Sequence, residues 1–116
     1  MERLRKALAA LSAVYAIVFF AAAAVHTGVW IQPLIVPAVI AETLCGLAML
    51  LGAYRRTWDT IIWTHAFALA GVLLGVLSQG IGAAPDTTWS IWYHDIMAAL
   101  LALGLGGALY VSRERT

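Results

Sequence analysis

Charge is what this sequence has least of. Only 11% of its 116 residues are charged, against about 25% in an ordinary soluble domain. With 63% hydrophobic residues, that scarcity excludes a soluble globular enzyme, a disordered regulator and a nucleic-acid-binding protein. A single cysteine, Cys45, excludes an internal disulfide and any CxxC redox or zinc motif. No glycine-rich phosphate loop and no Ser-His-Asp set is present either.

What the chain has is apolar length, with a mean hydropathy of +0.89. Its apolar runs predict four spans, at 7–27, 34–53, 60–79 and 91–111, each near the roughly 20 residues that cross a bilayer. The expectation is an all-α integral membrane four-helix bundle, one domain over residues 1–116. Pro33 and Pro37 open the second span, where a first helical turn tolerates proline. Arg55, Arg56 and Asp59 interrupt the apolar pattern, and 80–86 reads as a loop from which Thr87, Thr88 or Ser90 caps the fourth helix. The start resembles a signal peptide with small residues at Ala22–Ala24. Its apolar stretch exceeds the usual h-region of about 7–15 residues, so an uncleaved helix is the expectation.

Lysine and arginine are also absent from the loops 28–33 and 80–90. All seven basic residues lie near the N-terminus, in the 54–59 loop or at the C-terminus: Arg3, Arg5, Lys6, Arg55, Arg56, Arg113 and Arg115. The positive-inside rule then predicts a multi-pass cell-membrane protein with both termini cytoplasmic. Trp30, Trp89 and Trp92 would mark the outer interface and Trp58 and Trp63 the inner one. Tyr54, Tyr93 and Tyr110 would join the same aromatic belts.

A charged side chain at the bilayer centre costs at least about 2.5–3.5 kcal/mol, so each one needs a reason. Helical rise sets the expected heights above the inner side: about 28 Å for His26, 25 Å for His94, 16 Å for Glu42 and 8 Å for His65. Glu42 is thus expected near the midplane, on a small-residue face with Ala38, Cys45, Gly46, Met49 and Ala53. It reads as a ligand or proton site, with His65 as a possible companion, or else as a neutral or paired carboxyl held for assembly. His26 and His94 at one level suggest two axial ligands of a haem b or a metal, with Asp95 placed to support His26. The plainer alternative is a hydrogen-bonded polar rim. Gly71 and Gly75 form a small-xxx-small pattern for helix contact, and Gly104, Gly106 and Gly107 thin the fourth span.

The segment Ala41-Glu-Thr-Leu-Cys-Gly-Leu-Ala-Met-Leu-Leu-Gly-Ala-Tyr-Arg-Arg56 resembles the DoxX family of small four-helix membrane proteins. Its pattern is a Glu, a Gly four residues on, an apolar run, Gly, then Arg at the membrane edge. Glu42, Gly46, Gly52 and Arg55 or Arg56 match it, and His26 followed by Pro33 and Pro37 looks like the smaller members. The resemblance covers residues 10–75. It implies a membrane subunit supporting quinone-linked redox chemistry or anchoring an oxidoreductase, an accessory rather than a stand-alone enzyme. A haem b carrier using His26 and His94 is the alternative, and an oligomeric proton-coupled transporter using Glu42 is a third. The implied partners are the lipid bilayer and other subunits or further copies of the chain, with no nucleic acid.

Overall fold

The computed structural model describes residues 2–29, 34–82 and 87–113. Four α-helices account for nearly all of them: α1 (Glu2–His26), α2 (Val36–Arg55), α3 (Trp58–Gly80) and α4 (Thr88–Arg113). Each is long and apolar enough to cross a membrane. The molecule is 47 Å long, more than the roughly 30 Å hydrocarbon core of a bilayer.

α1, α3 and α4 outrun their apolar spans because backbone hydrogen bonding continues past the last apolar residue, whereas α2 keeps its length and lies two residues later than expected. α1 begins five residues before its expected span and takes in Arg3, Arg5 and Lys6; α4 runs on through Arg113. Pro37 sits in the first turn of α2 as expected. The Pro33, Trp30 and Arg115 assignments lie outside the described residues.

α1 packs along α2, α2 along α3 and α3 along α4, with α1 touching α3 and α4 over short stretches. The direction alternates. The Ile35 N–H donates to the His26 carbonyl at one end of the bundle, and the Arg5 guanidinium donates to the Arg56 carbonyl at the other. The end carrying Arg5 and Arg113 is called here the terminal end, and the opposite one the far end.

Two apolar clusters stack along the bundle. The main one joins Tyr15, Ala16 and Phe19 of α1, Cys45 and Met49 of α2, Ala68 and Val72 of α3, and Met97 and Leu101 of α4. A smaller one at the terminal end joins Leu8, Trp58, Ile61 and Ala108. Trp58 is therefore a core residue, 5% exposed, and not an interfacial marker. At the start of α3 its side chain lies against α1 and α4. Trp63, Trp92, Tyr54 and Tyr110 remain exposed, as belt positions require, and Trp89 is partly so.

Close approach depends on glycine at specific points. A Cβ on Gly46 would stand 2.5 Å from the Phe20 ring, and one on Gly71 would stand 2.8 Å from Cys45 Sγ. The small-xxx-small pattern of α3 thus serves two neighbours. Gly71 receives Cys45 of α2, and Gly75 receives His94 of α4. Gly106 and Gly107 face open space.

Candidate functional site

Glu42 is gripped from two sides at the far end. Nδ1 of His26 abuts its Oε1, and neither atom has another partner among the described residues. The Tyr93 hydroxyl donates to its Oε2 at 3.0 Å. The three side chains come from α1, α2 and α4. Glu42 is 8% exposed and His26 5%, so the carboxyl group and the imidazole face each other away from bulk water, where each polar group needs a partner.

The expected separation of Glu42 from His26 is closed in part by side-chain direction. Each Cα–Cβ bond leans toward its helix N-terminus. His26 ends α1 and so leans inward, whereas Glu42 and Tyr93, on helices running the other way, lean toward the far end. Cα rise alone separates His26 and Glu42 by about 12 Å along the axis, and their side chains reach toward each other across it. His65 does not join Glu42.

A cavity of about 420 Å³ opens beside this triad. Its walls are mostly apolar, with Phe19, Cys45 and Val72 toward the core. Its polar lining is Glu42, His26, Tyr93, His94, Ser78, Gln79 and Ser90. Gln79 Nε2 donates to Ser90 Oγ at 2.8 Å, tying α3 to α4 at the rim. The His26 and Trp89 rings lie 6.2 Å apart, tilted by 30°, and link α1 to α4 there.

His94 lines the cavity but does not form a clamp with His26. Its Nδ1 donates to the Ser90 carbonyl at 2.8 Å, leaving Nε2 as the bare nitrogen. That nitrogen is turned onto Gly75, 2.5 Å from where a Cβ would stand. His94 is turned to α3 and His26 to Glu42, and both line the same cavity. Among the described residues no three His, Cys, Asp or Glu side chains converge as a metal ion would need. Asp95 is exposed and does not support His26. The buried stripe of α4 runs through Ser90, Met97, Leu101 and Ala108, and Asp95 lies off it.

His65 is fully buried in the other half of the bundle. Its Nδ1 donates to the Ile61 carbonyl at 2.8 Å, and its Nε2 has no partner among the described residues. The ring stands edge-on to Tyr15, with centroids 6.2 Å apart, and lies over Gly104. Between it and the cavity lie Met49, Ala68 and Val72 of the apolar core. Arg55 and Arg56 are exposed at the terminal end, far from Glu42.

Sequence reasoning missed Tyr93, assigning it to an aromatic belt, and it missed Gln79 and the cavity role of Ser90. The signal for Tyr93 was its helical spacing. It stands three residues after Ser90 and four before Met97, which puts it beside the buried stripe of α4. Comparison with protein families, curated proteins and solved structures finds no match to this chain.

Proposed function

We propose that this chain is a multi-pass cell-membrane protein, similar to the DoxX family, whose far-end cavity binds a quinone head group beside a partner oxidoreductase. The observation that carries the reading is Glu42, held between His26 and Tyr93 on the wall of a largely apolar cavity. A volume of about 420 Å³ falls within the roughly 300–1,000 Å³ of small-molecule sites. Ile17, Leu44, Leu47, Phe67, Leu73 and Leu103 stand exposed around the bundle, the surface that a bilayer covers and water does not favour. The cluster of basic residues at the terminal end supports cytoplasmic termini, which puts the cavity in the outer half of the membrane.

The chemistry fits the donor set. A quinone carbonyl accepts hydrogen bonds, and a quinol hydroxyl donates one. The Tyr93 hydroxyl supplies a donor to the first by exchanging Glu42 for the quinone, and the Glu42 carboxylate so released, or an imidazole, supplies an acceptor to the second. Glu42 and His26 together hold or release a proton at the head group. The electrons pass to a partner subunit, because carboxylate, imidazole and phenol here serve as hydrogen-bonding groups.

The test is titration of the purified protein in mild detergent with a tail-less benzoquinone, read by tryptophan fluorescence. Glu42→Gln and Tyr93→Phe are expected to weaken binding about tenfold or more, the worth of a hydrogen bond to a charged group. Undiminished binding in Glu42→Gln overturns the proposal.

A further inference from the structure

We propose that the ligand reaches this site sideways, from the bilayer, through the gap between α2 and α3, and that its apolar tail remains in that gap. The inference rests on the head-group reading above and adds the class of ligand: a lipid-tailed amphiphile and not a water-soluble solute. The gap is walled by Pro37, Ala38 and Ala41 of α2 and by Gly71, Leu74 and Gly75 of α3. None is charged, and apart from Leu74 and Pro37 all are alanine or glycine. Leu74 lines the cavity yet is 64% exposed on the outside of the bundle, and Ala41 and Pro37 are exposed too. A residue that belongs to both the cavity wall and the outer surface marks a breach, so the cavity is continuous there with what surrounds the bundle.

The α1–α2 and α3–α4 seams carry contacts that close them beside the cavity, and between α1 and α4 the His26 and Trp89 rings stand 6.2 Å apart. Between α1 and α2, Glu42 meets His26, the Ile35 N–H bonds the His26 carbonyl, and Phe20 fills the space over Gly46. Between α3 and α4, Gln79 holds Ser90 and His94 covers Gly75. Phe19, Cys45 and Val72, all buried, floor the cavity. Of the polar lining, His26 is on α1 and Ser90, Tyr93 and His94 are on α4, with Glu42 of α2 turned toward His26 and Tyr93; the apolar mouth faces outward between α2 and α3. Ala41 stands five residues inside the far end of α2 and Leu74 six inside that of α3, about 8–9 Å along each axis. At that depth the surroundings are hydrocarbon, which favours an isoprenoid or alkyl chain and disfavours a charged solute.

The experiment compares two quinones with the same head group, one tail-less and one with a long alkyl tail, on the intact chain and on Ala41→Trp. The indole fills the mouth from the lipid-facing side, where the bundle has no packing to disturb. Leu47→Trp, on the exposed face of the same helix and away from the cavity, is the control. Ala41→Trp is expected to weaken the tailed ligand about tenfold more than the tail-less one, the worth of roughly two methylenes kept from burial. Equal loss for both ligands, or for neither, overturns the side-access proposal. A tailed quinone carrying a photoreactive group at the tail end is expected to label α2 and α3 around Ala38, Ala41 and Leu74; saturable labelling of α1 or α4 instead overturns it. The head-group reading fails separately, if Glu42→Gln leaves the tail-less quinone bound as before. Tail labelling that persists in Glu42→Gln would show an acyl chain held without its head group, and would overturn the assignment of ligand class. Absence of saturable labelling overturns both proposals.

Discussion

At Gly75 a single hydrogen atom in place of a methyl group decides where His94 points. The imidazole lies over the α3 backbone, with Nε2 2.5 Å from the position of a Cβ, while its Nδ1 is fixed to the Ser90 carbonyl. Gly75→Ala must therefore displace the ring and disturb the cavity rim. The expected cost is about 1–3 kcal/mol, as for other overpacked sites. Gly106→Ala, placed where nothing lies within 4 Å, is expected to be neutral or slightly stabilising, because alanine is the better helix former. Thermal unfolding in the same detergent checks both; equal melting temperatures for the two variants would show that the close approach at Gly75 carries no cost. Residue chemistry was only partly legible beforehand. Glu42, His26 and His94 stand out because ionisable groups in apolar runs are rare. Tyr93 does not, since a tyrosine near a span end has an ordinary interfacial explanation.

Among the elements, the α2–α3 connection is the most sharply defined. Arg56 ends α2 in the left-handed region at φ 58°, a conformation that costs a non-glycine residue about 1–2 kcal/mol. Thr57 follows at once as the N-cap of α3, its side chain accepting the Thr60 N–H at 3.3 Å. One residue relieves the end of a helix and the next begins another. Thr57→Ala is expected to destabilise the bundle by about 1 kcal/mol. Arg56→Gly is expected to stabilise it by up to about 1 kcal/mol through relief of the positive φ. Chemical unfolding of the two variants checks the pair, and shifts in the same direction would contradict this account of the turn. The interruption at Arg55, Arg56 and Asp59 was legible as a break between spans. Its left-handed turn was not, because arginine is not a residue that sequence patterns associate with positive φ.

At the scale of the whole molecule, α1 and α3 start at one end of the bundle and α2 and α4 at the other, so the described chain begins and finishes on the same side. With every lysine and arginine near that side in sequence, the proposed orientation makes a direct prediction. A fluorescent protein fused after Thr116 is expected to fold and fluoresce in the cytoplasm. A periplasmic phosphatase fused at the same place is expected to be inactive, and an active one would reverse the orientation and move the cavity to the inner half of the membrane.

The sequence by itself determined the number of helices, their approximate limits and the small-residue face of α2, because each follows from local apolar length and a 3.6-residue period. Buried Glu42, Cys45, Gly46 and Met49 are four of the six positions that this period placed together. Only the tertiary structure decided which polar groups meet. Glu42 pairs with His26 and Tyr93 and not with His65; His94 turns to Gly75 and not to His26; Asp95 faces out. The reason is geometric: antiparallel helices lean their side chains in opposite directions along the bundle axis, and helix order fixes which faces oppose. Neither is encoded in one helix alone. The cavity itself is walled by all four helices, with alanine and glycine where α2 and α3 meet, a property that no single helix carries.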